Sequence, residues 1–200
     1  YVANDIADLD ADRLHHNKRK RPFASAVISI PSGFLLGIIL ISVTAMLACF
    51  LPPAFVYALL AYFIVTNIYT LRLKAVPILD VAILAGLYAL RVLAGGFAAD
   101  VPASFWLLAF SCFIFFSLAI VKRVSELMGI ETPDEKAVVC RGYRTSDMPV
   151  LTGLGTSSAL MAVLVMALYI NSPDVIQLYA SPRYLWLLCP IVALWLGRVW

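Results

Sequence analysis

The sequence predicts an all-α integral membrane protein, a helical bundle with six complete transmembrane helices and the end of a seventh. Three observations carry that expectation. The 200 residues are 62% hydrophobic and only 14% charged, with a mean hydropathy of +0.92, whereas soluble domains carry about 25% charged residues. Apolar segments long enough to cross a hydrocarbon core of about 30 Å, at about 1.5 Å per residue, recur six times. The charge between these segments alternates from one connection to the next.

Residues 1–14 read as the tail of a helix, and crossing segments follow near 33–51, 54–72, 76–97, 104–121, 147–170 and 184–199. Pro52, Pro53, Pro77, Pro102, Pro149 and Pro182 fall at or near the span boundaries, where a missing N–H costs little. The connections at 13–22, 72–75 and 122–146 hold most of the Lys and Arg. By contrast, 52–53 is uncharged, 98–103 has only Asp100, and 171–183 sets Asp174 against Arg183. The positive-inside rule puts the three basic connections, and any active site built from them, on the cytoplasmic side. With no internal repeat and no long soluble linker, residues 1–200 read as one transmembrane domain. The chain does not open on Met, and its first residue adjoins a polar motif. It therefore reads as a domain truncated at the N-terminus and at the C-terminus, with scope for a fused soluble domain ahead of residue 1.

The formal net charge of +3 matches loop bias, and no aromatic-basic RNA motif accompanies it, so nucleic acid is not expected as a partner. Cys49, Cys112, Cys140 and Cys189 show no CxxC spacing and indicate neither a zinc site nor a disulfide framework.

Chemistry is expected first in the run NDIADLDAD and the basic segment RLHHNKRKRP that follows it. At about 100° per residue, Asp5, Asp8 and Asp12 share one side of a helix, within roughly 60°, and Asp10 points away. Three converging carboxylates repel unless a cation sits among them. Magnesium binds oxygen ligands, retains waters and is completed by substrate phosphates, so it is the expected cofactor. Asn4 adds a carbonyl ligand or a hydrogen bond to phosphate. His15, Lys18, Arg19, Lys20 and Arg21 supply the positive charge that a polyanionic substrate requires. Taken singly, Asp at a helix end is commonly a cap and a Lys/Arg run beside a span is an orientation signal. Joined in one stretch, they point to a diphosphate-bearing substrate.

Other polar residues belong to the same side. Lys74, in NIYTLRLK, either reaches a phosphate or snorkels from a span end. Asp80 lies about a turn and a half inside the next span, where an unpaired carboxylate is costly; it needs a partner, from Lys74 or the basic loops. Arg91 returns to the face of Asp80 about 16 Å further along, too far to pair with it. It either snorkels outward or lines an interior cavity with Tyr88. KRVSEL ends another span and offers Lys122, Arg123 and Glu126, with Lys122 and Glu126 four apart on one face. The polar stretch after it, through Asp147, is long enough for a lid over the site.

These motifs and the order of the spans resemble the UbiA superfamily of intramembrane prenyltransferases, over essentially the whole chain. Asn4-Asp5, Asp8 and Asp12 match the signature NDxxDxxxD, and His15, Lys18 and Arg21-Pro22 its HxxKxxRP extension. The resemblance implies carboxylates that hold magnesium on a departing diphosphate and a lipid tail in a tunnel opening sideways. Most members carry a second Asp-rich motif, DxxxD; here Lys122-Arg123 and Glu126 stand instead. That departure, with YTLRLK and LRVLAGGFAADVPASFW, looks like the decaprenyl-phosphate phosphoribosyltransferase branch. It implies transfer of phosphoribose from phosphoribosyl diphosphate to a polyprenyl phosphate, with Asp5, Asp8 and Asp12 on magnesium, Lys18 and Arg21 clamping phosphate, and Lys122 and Arg123 orienting the acceptor phosphate. Prenyl transfer from a polyprenyl diphosphate to an aromatic or other acceptor is the alternative. CDP-alcohol phosphotransferases also use spaced Asp residues, but their DGxxAR portion is absent. A transporter with Asp80 and Arg91 on its path is the non-enzyme alternative, although half-helices and paired repeats are not seen.

Overall fold

The computed structural model describes residues 2–7, 9–14, 18–128, 142–179 and 181–200. Among them every regular element is helical. Two short helices, α1 (Val2–Ala7) and α2 (Leu9–Leu14), precede four long ones, α3 (Ile30–Ala48), α4 (Pro53–Leu71), α5 (Leu79–Ala99) and α6 (Phe105–Met128). Then come α7 (Met148–Ile170), the short α8 (Pro173–Leu178) and α9 (Leu188–Val199). Among the described residues, five helical segments are long and apolar enough to cross a membrane, α7 counting from Thr145. The chain is an integral membrane helical bundle.

The span boundaries follow local chemistry. Ser29 caps α3 by accepting from the Ser32 N–H, and Pro31 occupies its first turn. Pro53 opens α4 and Pro149 lies in the first turn of α7. Asp100 ends α5 in a left-handed conformation, its N–H returning to the Phe97 and Gly96 carbonyls. The expected sixth span, 184–199, is helical but divided: a 3-10 stretch, Pro182–Leu187, leads into the twelve-residue α9. At about 1.5 Å per residue, α9 covers roughly 18 Å, well short of a hydrocarbon core.

Packing is sequential. α4 lies against α5, α5 against α6 and α6 against α7, so the antiparallel spans bring the C-terminal ends of α4 and α6 and the N-terminal ends of α5 and α7 to one membrane face. Tyr88 of α5 stacks on Phe115 of α6 at 5.0 Å. Ser158 Oγ of α7 donates to the Phe113 carbonyl at 2.7 Å. Trp200 fits against Gly155, where a Cβ would stand 2.1 Å from the indole, and its Nε1 donates to Ser117 Oγ at 3.0 Å. A hydrophobic core cluster, Val81, Ile120, Val124, Leu127, Tyr143 and Leu151 among its members, lies beneath the face where the polar residues gather. α3 stands apart from this core: Gly33 and Ala48 are its only buried residues, and Gly33 packs on Phe23 and Ile6.

Candidate functional site

Two polar clusters are assembled from the expected site residues. The first joins the acidic helices to the basic segment. Arg21 Nη1 donates to Asp5 Oδ1 at 3.0 Å and to Asp12 Oδ2 at 2.8 Å, so two carboxylates seven residues apart meet on a single nitrogen. Asp5 lies on α1 and Asp12 on α2, and the basic segment that follows brings Arg21 to both. Asp12 is the more enclosed, its side chain 5% exposed against 24% for Asp5. Asn4 lies on α1, and Lys18 opens the 3-10 turn Lys18–Lys20. Asp8 and His15 lie outside the described residues. Among the described residues no three His, Cys, Asp or Glu side chains form a metal-binding group. The donor set nevertheless fits a hard cation: two oxygen ligands already converge on one positively charged atom.

The second cluster is buried at the core's edge. Arg123 Nε donates to Asp80 Oδ2 at 2.6 Å, Nη1 to Glu126 Oε2 at 2.5 Å and Nη2 to the Tyr69 hydroxyl at 3.2 Å. Tyr143 donates its hydroxyl proton to Asp80 Oδ1 and accepts from the Ile78 N–H at 2.6 Å. Asp80 is 0% exposed and Arg123 1%, whereas the Glu126 side chain reaches 26%. These bonds tie the ends of α4, α5 and α6 to the segment entering α7. Burial, foremost, and the bond to Asp80 hold the Tyr143 phenol above its ordinary pKa. Ile78 has φ +66°, a strained backbone for a β-branched residue, and its N–H is the one bonded to Tyr143. Gly142, at φ +85°, lies so close to the Ala75 carbonyl and the Pro77 ring that a Cβ would stand 2.8 Å from that oxygen.

This geometry corrects two sequence expectations. Asp80 has, as expected, a partner from the basic connections, and it is Arg123, 43 residues away. Arg123, expected to orient a phosphate, has donors on all three of its nitrogens committed inside the protein and exposes no face to a ligand. Asp80, expected to bind substrate, is its internal counter-ion. Lys122 is exposed and Lys74 half-buried at the same membrane face. Asn67 turns back to its own helix, donating to the Phe63 carbonyl at 2.7 Å. Arg91 bonds to the Tyr62 hydroxyl and lies 5.0 and 5.2 Å from the Tyr62 and Tyr88 rings. Sequence reasoning missed Tyr69 and Tyr143. The signal available was general, that a buried tyrosine seeks a partner for its hydroxyl; nothing in spacing identified which one.

Apolar space lies away from these clusters, toward the opposite membrane face. A groove of about 510 Å³ runs between α3 and α4, lined by residues such as Leu40, Thr44, Leu59 and Phe63. A cavity of about 310 Å³ lies at the opposite end of α6 and α7, against Tyr169 and Leu188.

Comparison with known proteins places these features in context. The model of the UbiA prenyltransferase family matches residues 1–200. The chain is 35% identical to the uncharacterized protein y4nM of Sinorhizobium fredii over 100% of this chain and 39% of that protein. It is 32% identical to nodulation protein NoeC of Azorhizobium caulinodans, over 99% of this chain and 64% of that one. With the decaprenyl-phosphate phosphoribosyltransferase of Mycolicibacterium smegmatis it shares 30% identity over 87% of this chain and 54% of the enzyme. The chain thus spans less than two thirds of the length of each.

Proposed function

The chain belongs to the UbiA prenyltransferase family, and from that premise we propose that it is a magnesium-dependent intramembrane transferase moving phosphoribose from phosphoribosyl diphosphate to a polyprenyl phosphate. The observation that carries the reading is the meeting of Asp5 and Asp12 on Arg21, a paired set of oxygen donors around one positive charge at the end of a membrane bundle. The choice of donor and acceptor rests on the similarity to decaprenyl-phosphate phosphoribosyltransferases and on Lys122, exposed at the end of α6.

On this reading Asp5, Asp8 and Asp12 hold magnesium, with Asn4 beside them. Magnesium bound there neutralises charge that develops on the leaving diphosphate. Arg21 serves two purposes: in the described state it offsets two carboxylates that otherwise repel, and with those carboxylates engaged it is available to a phosphate oxygen. His15 and Lys18 contribute to the same clamp. Lys122 and Lys74, on the same membrane face, attract the acceptor phosphate. The apolar groove between α3 and α4 has the character and volume to receive part of an isoprenoid chain. An acceptor phosphate oxygen attacks ribose C1, the C1–O bond to diphosphate breaks, and diphosphate leaves with the electron pair. Positioning and leaving-group stabilisation, not a covalent protein nucleophile, lower the barrier. The active site faces the cytoplasm, where water-soluble phosphoribosyl diphosphate is available.

The test is donor identity. Purified protein with magnesium and a polyprenyl phosphate is given radiolabelled phosphoribosyl diphosphate in one arm. In the other, a labelled polyprenyl diphosphate is supplied with an aromatic acceptor. Lipid-extractable label from the first arm alone supports the proposal; label from the second alone replaces it with prenyl transfer.

A further inference from the structure

The entry to α5 is made by a turn that a chain of L-residues does not adopt at ease. Ile78 precedes the helix at φ +66° and ψ −44°, and the Leu79 N–H returns to the Pro77 carbonyl at 2.7 Å. A bond from residue i+2 to residue i about a positive φ defines the rarer, strained form of the γ-turn. For a β-branched residue a positive φ is an outlier, and such strain persists only where the surroundings over-determine it. The Ile78 side chain is 50% exposed, so its own packing does little to hold it there.

What holds the turn comes from the connection that enters α7. The Ile78 N–H donates to the Tyr143 hydroxyl at 2.6 Å, and that hydroxyl donates to Asp80 Oδ1. Tyr143, 4% exposed, thus joins the N–H at the head of α5 to a carboxylate two residues on, a link that a capping side chain ordinarily makes within its own helix. Beside it, Gly142 sets its backbone against the same turn: a Cβ there would stand 2.8 Å from the Ala75 carbonyl oxygen and 3.1 Å from the Pro77 ring. On the other side, the Arg144 N–H donates to Asp147 Oδ2 at 2.8 Å, next to the start of α7. We propose that Tyr143 is a latch and the Ile78 turn a strained joint that it holds. With Tyr143 seated, the connections 72–78 and 142–147 move as one body; with it withdrawn, Ile78 relaxes to negative φ and the two part. The device couples the connection bearing Lys74 to the one bearing Arg144 across the polar face, whichever donor and acceptor the protein uses.

The test is residue-resolved amide hydrogen exchange on the full chain in lipid nanodiscs, for wild type, Tyr143→Phe, Ile78→Gly and the double variant. Tyr143→Phe deletes only the hydroxyl, so simple loss of its bonds frees the Ile78 N–H and no other amide of the turn. Release of a latch also frees the Leu79 and Asp80 amides, which donate to the Pro77 and Val76 carbonyls and not to Tyr143. Their exchange is expected to quicken by about 10-fold beyond any rise at amides in the middle of α6, the scale of one strained residue released. Glycine adopts positive φ without that strain. Ile78→Gly alone should therefore slow exchange at Leu79 and Asp80 several-fold, and in the double variant most of the excess should disappear. Acceleration confined to the Ile78 amide, or an excess of the same size with Ile and with Gly at position 78, overturns the proposal. If Tyr143→Phe does not fold, Ile78→Gly decides alone: unchanged or faster exchange at Leu79 and Asp80 refutes a strained joint.

Discussion

Removing the charge of Arg123 should cost more than removing that of Asp80, although the two form one ion pair. Arg123→Gln leaves Asp80, 0% exposed, with a full negative charge and only the Tyr143 hydroxyl to answer it. Breaking a buried pair so that one charge is stranded costs about 3–5 kcal/mol. Asp80→Asn leaves a different remainder: Arg123 keeps Glu126 at 2.5 Å and Tyr69 at 3.2 Å, and the new amide oxygen still accepts from Nε. That loss is of the order of one hydrogen bond to a charged group, about 1.5–3 kcal/mol. The double variant should be no less stable than Arg123→Gln alone, because the second change removes the stranded carboxylate. The assay is reversible unfolding in mixed micelles, with helix content followed by circular dichroism. Equal costs for the two single variants, or additive costs in the double variant, would refute the charge argument.

Other outcomes follow from the same contacts. Tyr143→Phe strands the Ile78 N–H and one Asp80 oxygen, and should cost about 1–3 kcal/mol in the same unfolding assay. The raised phenol pKa of Tyr143 favours the protonated form in the folded protein. Its contribution is complete below the unfolded phenol value of about 10 and is lost as pH rises through the higher folded value. The stability of wild type should therefore fall more steeply than that of Tyr143→Phe on alkaline titration. Asp12→Asn should abolish magnesium-dependent transfer while leaving helix content unchanged, and chelation of magnesium should silence wild type to the same extent, both read by product label. Gly155→Ala drives a methyl group into the Trp200 indole and should cost about 1–3 kcal/mol, with a change in tryptophan emission.

The spans were legible wherever length and hydropathy decide the outcome. The expected 54–72 and 147–170 match Pro53–Leu71 and Met148–Ile170 closely, because proline marks their entrances. The expectation for α6 stopped at 121, where Lys122 and Arg123 begin, yet the helix continues to Met128. Hydropathy prices an arginine as if it were unpaired, and Asp80 cancels that cost here. The same blindness to distant partners explains the second cluster. The need of Asp80 for a cation was readable from its depth, but a partner 43 residues away leaves no trace in local spacing. The spacing of Asp5 and Asp12 suggested one shared helix side, but they lie on α1 and α2 and meet on Arg21, a contact that spacing does not display. The division of 184–199 into two helical types escaped notice because apolar composition does not distinguish a 3-10 stretch from an α-helix.

Arg91 sits eight residues before the end of α5, roughly 12 Å along the axis from it, flanked by two tyrosine rings and, among the described residues, by no carboxylate. Arg91 is exposed, so its charge stays at the periphery of the bundle, and its bond to Tyr62 pins α4 to α5 at a level far from the polar face.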